Sequence, residues 1–180
     1  MLRWLTNRNA ANGTALELYG SSVAQARLPV FYREMCVADT FSGRFELVML
    51  HVGLLLRRLT AEGSEGRDLG RVVVEQMFTA LDDDMREIGV GDLSVAKKMQ
   101  AAASSFYGRL KGYDAALSLP DNEDLVAAVR RNVPAADGKV LHGRELAEYA
   151  RATAKHLEGQ AFAELRTGRL TFPVRGGWKS

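Results

Sequence analysis

The chain has 180 residues, 47% apolar and 26% charged, with a net charge of +2. That length fits one domain able to bury its own core, and that composition excludes a disordered chain. The balanced charge argues against a general nucleic-acid binder, and the single cysteine, Cys36, excludes an intrachain disulfide and a zinc finger and favours a reducing compartment.

The opening segment, Met1-Leu2-Arg3-Trp4-Leu5, has no apolar run of signal-peptide length. The longest apolar stretch, Leu47 to Leu56, is interrupted by His51 and falls well short of the roughly 20 residues of a membrane span. These features lead to the expectation of a soluble cytoplasmic protein.

In chain order the pattern predicts helices joined by Gly-, Asp- and Pro-containing turns. The first runs from about Thr14 to Arg27, with Leu16, Tyr19, Val23 and Ala26 on one face. Pro29 opens a short second helix carrying Phe31 and Tyr32. Asp39, Thr40 and Ser42 compete to cap the third, in which Phe45, Val48, Met49, Val52, Leu55, Leu56 and Leu59 follow helical spacing. Leu47, Leu50 and Leu54 make the opposite side apolar too, which places this helix in the middle of a bundle. A fourth helix spans about Leu69 to Ile88, with Gly89 in position to end it. The fifth begins near Val95, capped by Asp92 or Ser94, and reaches Leu110 or, with a kink, Leu117. Shorter helices follow between Asp121 and Asn132, from Gly143 to Leu157, and around Gln160 to Arg166. The reading is an all-α, single-domain bundle of six or seven helices around a buried central one. Its core covers about residues 14–166, with residues 1–12 and 171–180 expected to be flexible.

Charge is uneven along the chain. Residues 37–93 hold 6 basic and 11 acidic side chains, and residues 94–180 hold 14 and 9. The chemistry-bearing residues form no catalytic constellation. His51 sits on the apolar third helix and reads as a core histidine bonded to a carbonyl or carboxylate, while His142 and His156 read as surface residues. Gly89-Val90-Gly91 lacks the third glycine and the preceding strand of a dinucleotide loop and reads as a helix–helix turn. Asp82-Asp83-Asp84 fans over about 200° of a helix and cannot converge on one metal, although Asp84 falls on the apolar side and is expected in a polar network at the helix end. Cys36 reads as a buried, inert thiol. No catalytic residue, metal ligand or cofactor site is expected. Within Phe106-Tyr107-Gly108-Arg109, the glycine suggests close helix approach or a bend, and Arg109 offers a fork for a carboxylate.

The strings Leu18-Tyr19-Gly20, Val23-Ala24-Gln25-Ala26-Arg27, Phe31-Tyr32, Asp39-Thr40, Gly43-Arg44-Phe45-Glu46, Leu50-His51, Arg57-Arg58-Leu59, Arg86-Glu87-Ile88-Gly89-Val90-Gly91-Asp92-Leu93 and Phe106-Tyr107-Gly108-Arg109 occur in this order. In order and spacing they resemble the ubiquinol–cytochrome c chaperone family over about residues 14–117, and more weakly to about 165. The resemblance implies a helical, non-catalytic assembly factor that binds newly made cytochrome b on its way to respiratory complex III. Mitochondrial members work with a smaller partner and associate with the ribosome; this compact chain resembles the bacterial form.

A chaperone for a membrane protein must offer apolar surface while staying soluble, and a groove beside the third and fifth helices would serve. The candidate client-binding residues are Phe31, Tyr32, Arg44, Arg86, Asp92, Tyr107 and Arg109. The polar members of the set, with Arg27, Glu46 and Glu87, read equally well as internal braces. A second reading is an RNA- or ribosome-binding module using the doublets Arg57-Arg58, Lys97-Lys98 and Arg130-Arg131. A third is a small helical haem- or metal-binding protein using His51 or the Asp82–Asp84 region. Contact with DNA is not expected. Leu2, Trp4 and Leu5 beside Arg3 suggest a peripheral contact at the inner face of the cytoplasmic membrane.

Overall fold

The computed structural model describes residues 2–87, 89 and 91–173, with side chains from residue 11 onward except at 92 and 93. Eight helices occupy the described residues: α1 (Leu2–Ala26), α2 (Pro29–Arg33), α3 (Phe41–Thr60), α4 (Gly63–Glu87), α5 (Asp92–Leu117), α6 (Glu123–Asn132), α7 (Gly143–Glu158) and α8 (Phe162–Leu165). The all-α bundle is as the periodicity predicts, with two boundaries corrected. α1 begins at Leu2 rather than near Thr14, and α4 begins at Gly63 rather than near Leu69. Gly89 does end α4, with φ +82° and its N–H donating to the Arg86 carbonyl, a conformation that costs a residue with a Cβ. Ile88, Val90 and residues 174–180, part of the expected flexible tail, lie outside the described residues.

α3 is the central element and packs against α1, α4, α5 and α7. Every residue from Glu46 to Val52 is buried, which is what its two-sided apolar pattern requires. Thr40 starts it: the Thr40 hydroxyl oxygen accepts from Gly43 N–H at 3.2 Å. Gly43 also lets the incoming chain pass close by, since a Cβ there would lie 2.0 Å from the Ala38 carbonyl oxygen. The chain before α3 is clipped to the α6–α7 connection by an isolated antiparallel bridge between Val37 and Ala135, with Ala38 N–H donating to Pro134 O at 2.9 Å and His142 N–H to Met35 O at 3.0 Å. Cys36 lies within this clip, half-buried rather than buried, with φ +58°.

The core is organised around a buried polar chain. His51 Nδ1 lies 2.7 Å from the Leu47 carbonyl, which only accepts, so Nδ1 carries the proton. Nε2 is therefore the acceptor for the Tyr149 hydroxyl at 2.7 Å, and that hydroxyl accepts from Gln25 Nε2 at 3.0 Å. The bond to Leu47 stays within α3, and the other two join α3 to α7 and α7 to α1 inside the bundle. Burial pushes the His51 imidazole down to about 4 and the Tyr149 phenol up to about 12, so both are neutral near pH 7. Phe31 closes the site, its ring 5.5 Å from His51 and 5.0 Å from Tyr149, both edge-on. Phe172 meets His51 in the same way from the C-terminal segment, which Gln160 Nε2 holds by donating to the Thr171 carbonyl.

A second polar contact ties α5 to α3. Arg109 Nη2 lies 2.8 Å from Glu46 Oε1, and Arg109 also bonds Ser105 one turn back. Glu46 is buried, and its other oxygen has no hydrogen-bond partner. Burial pushes its carboxyl from 4.5 to about 7, against the opposing pull of Arg109. A smaller apolar cluster, Leu81, Met85 and Val95, joins the far end of α4 to the start of α5, with Phe45, Phe78 and Met99 packed on it.

Two expected outcomes follow from these buried groups. His51 is neutral in the fold but protonates when unfolded near 6.5, so it withdraws roughly 3 kcal/mol of stability as pH falls from about 6.5 to about 4. Glu46 acts with the opposite sign: its raised value favours the fold at low pH, and that stability is lost as pH rises from 4.5 through about 7. The two slopes oppose one another between 4.5 and 6.5. Glu46→Gln removes the second, and urea titrations across this window should show a steeper acid loss than in the parent. Phe31→Ala should lower stability by about 3–5 kcal/mol in the same assay.

Candidate functional site

A groove of about 600 Å³ opens between α3 and α5, with the C-terminal part of α7 closing one end. The contacts Glu46–Arg109, Gly53–Leu110 and Arg57–Asp114 advance together in sequence, so α3 and α5 run in the same direction. They touch at Gly53, where a Cβ would meet Leu110 Cδ1 at 3.0 Å. This is the close approach that the sequence suggested at Gly108, which instead is exposed and has nothing near its missing Cβ. α5 shows one uninterrupted helix to Leu117.

Along α3 the lining runs from Leu50 to Ala61, about 17 Å or three helical turns. Leu50, Leu54, Leu56, Leu110, Leu117 and Ala154 make the apolar walls. Arg57, paired with Asp114, and Lys111 and Glu158 give a mixed-charge rim. The mouth is marked by Tyr107, whose ring is 58% exposed and rests edge-on against buried Phe106 at 5.4 Å. An exposed aromatic beside an apolar trough of this length can take the apolar stripe of a helix of three turns. That stripe recurs at i, i+4, i+7 and i+11.

Of the candidate client-binding residues, Tyr107 alone lines this groove. Phe31 is 0% exposed and belongs to the core around His51; a five-residue helix leaves it no surface to present. Tyr32 is half-buried and its hydroxyl donates to the Ala26 carbonyl at 2.9 Å, satisfying the end of α1. Arg109 is committed to Glu46. Arg44 pairs with Asp39 at 2.6 Å and Arg86 with Asp82 at 2.6 Å, both in solvent. Asp82 rather than Asp84 makes that contact, and Asp84 is exposed. The side chains of Asp92, and of Leu2, Trp4 and Leu5, lie outside those described.

The basic doublets do not form one surface. Arg58 is 8% exposed and braces the fold: it pairs with Glu62 and donates to the Gln160 carbonyl at 2.8 Å. Its neighbour Arg57 faces the groove. Lys97 and Lys98 are exposed near the start of α5. Arg131 is exposed beside Gly112, about 22 Å further along that helix, and Arg130 lies over Gly143. Among the described residues no three His, Cys, Asp or Glu side chains are grouped to hold a metal ion. His142 and His156 are exposed and meet Glu145 and Thr171.

Sequence reasoning missed Arg151. This α7 residue donates to the Leu117 and Ala116 carbonyls at 3.1 and 3.2 Å, and to the Asp121 carbonyl and Asn122 side chain. It holds the open carbonyl end of α5 and thereby fixes that wall of the groove. The signal was the break at Ser118–Pro120, which leaves those carbonyls in need of a donor.

Comparison with known proteins agrees with this architecture. A crystal structure of the Cbp3 homolog from Brucella abortus superposes with a TM-score of 0.83 over 97% of each chain, at 32% identity. Proteins described as ubiquinol-cytochrome c reductase complex assembly factor 1 are similar in sequence. The Mus musculus protein is 31% identical over 80% of this chain and 49% of its own length, and the Homo sapiens protein 31% identical over 88% and 53%. The chain therefore spans about half the length of these curated relatives. The family model described as ubiquinol-cytochrome C chaperone matches residues 33–172, which include every wall of the groove, and the chain belongs to that family.

Proposed function

We propose that this protein is a non-catalytic assembly factor that binds newly made cytochrome b and promotes assembly of the ubiquinol–cytochrome c reductase complex. The observation that carries this reading is the coincidence of the family match, residues 33–172, with an open apolar groove marked by an exposed tyrosine. The client segment is a transmembrane helix or an amphipathic one, held by its apolar stripe between α3 and α5 until it is handed on. Among the described residues no helix is long and apolar enough to cross a membrane. The protein would act from the cytoplasm, at the inner face of the membrane where its client inserts. Ribosome contact would use the exposed Lys97-Lys98 or Arg130-Arg131 pairs, each as a separate small patch.

The test is a cytochrome difference spectrum of membranes from a strain lacking the gene, complemented with the parent or with Tyr107→Ala. The parent should restore the b- and c-type signals of complex III. Tyr107→Ala should weaken client binding by about 2 kcal/mol and leave those signals reduced, while its exposed position keeps the stability change within about 1 kcal/mol. Full signals without the gene would reject the assembly role; full signals with Tyr107→Ala would reject the groove.

A further inference from the structure

A second groove, of about 750 Å³, lies between α4 and α5 on the other side of Tyr107. Its floor is apolar and adaptable, with Val74 and Phe78 from α4 and Val95, Met99 and Ala103 from α5. Its rim is a ladder of four charges on one face of α4: Arg71, Glu75, Asp82 and Arg86. They fall at spacings that keep them aligned over about 22 Å. Arg71 pairs with Glu75 at 2.5 Å and Arg86 with Asp82 at 2.6 Å, and both arginines are half or more exposed. These surface pairs are weak enough to exchange partners.

The order of this ladder is positive, negative, negative, positive, and it is the same from either end. A second copy of α4 laid against it, parallel or antiparallel, sets like charge against like at all four rungs, so the groove repels its own copy. The two cations cancel the two anions, so it exerts no net pull on an anionic membrane or a phosphate backbone. We infer that the α4–α5 groove docks a helix of a different protein, one whose facing charges run acidic, basic, basic, acidic about an apolar centre. This groove shares only Tyr107 with the lining of the α3–α5 groove and takes a different helix.

The test uses the full chain and two synthetic helical peptides of about five turns. They share an apolar stripe and differ in facing charges, one Glu-Lys-Lys-Glu and one Lys-Glu-Glu-Lys. The first should bind the parent about tenfold more tightly than the second. A chain carrying Arg71→Glu, Glu75→Arg, Asp82→Arg and Arg86→Asp keeps both pairs within the helix, so it should retain the parent's circular dichroism, and it should invert the peptide preference. Ala96→Trp, at an exposed position on the floor, should abolish binding of both. Failure of the first peptide to bind, equal binding of the two, or no inversion in the swapped chain would overturn the proposal. So would a parent dimer in sedimentation that Ala96→Trp converts to monomer.

Discussion

A neutral histidine in the middle of the bundle sets the arrangement of the rest. His51 donates to its own helix through Nδ1 and accepts from Tyr149 through Nε2, and Tyr149 in turn accepts from Gln25. Each bond fixes the direction of the next, because a neutral imidazole has one donor and one acceptor. The network therefore determines not only that α1, α3 and α7 are neighbours but which turn of each faces the others. Apolar packing alone tolerates small slips of one helix along another; an unpaired hydroxyl or amide in this site does not. Phe31 and Phe172 keep water out and so maintain the conditions under which the imidazole stays neutral.

With α1, α3 and α7 locked, α5 is held by a buried face, Phe106, Tyr113, Ala116 and Leu117, and by contacts along its length. Arg151 grips its C-terminal carbonyls, Arg109 reaches Glu46 near its middle, and Val95 joins the small cluster near its start. The two grooves lie along the flanks of α5, beside the face that it buries.

How much of this the sequence carries varies with the element. α3 is legible in full, since apolar residues on both sides of a helix admit only a central position. The beginning of α4 is not, because Gly63-Ser64-Glu65-Gly66 has the composition of a connection; what makes it helical is Gly66 lying under the Leu59 carbonyl, where a Cβ would sit 1.9 Å away. Phe31 and Tyr107 look alike as aromatics beside breaks in pattern, yet one is core and the other surface. Nothing in a five-residue helix reveals which way it faces, whereas Tyr107 stands one residue past Phe106 on a helix whose buried stripe is readable. The doublet Arg57-Arg58 shows the same limit from the other direction. Adjacent residues on a helix diverge by about 100°, so Arg57 stays partly exposed and pairs with Asp114, while Arg58, which also lines the groove, is buried against Glu62 and Gln160. The groove beside α3 and α5 was an expectation from the family resemblance, and its lining depended on Gly53, which reads as an unremarkable small residue inside an apolar run.

Arg151 ties the C-terminal end of α5 to α7 and to the connection that follows it. That end takes two bonds from the guanidinium, which gives two more to the connection that follows, and at the far end of the helix Val95 packs with Leu81 and Met85. Tyr107 lines both grooves, so a single exposed side chain of α5 shapes the edge of each.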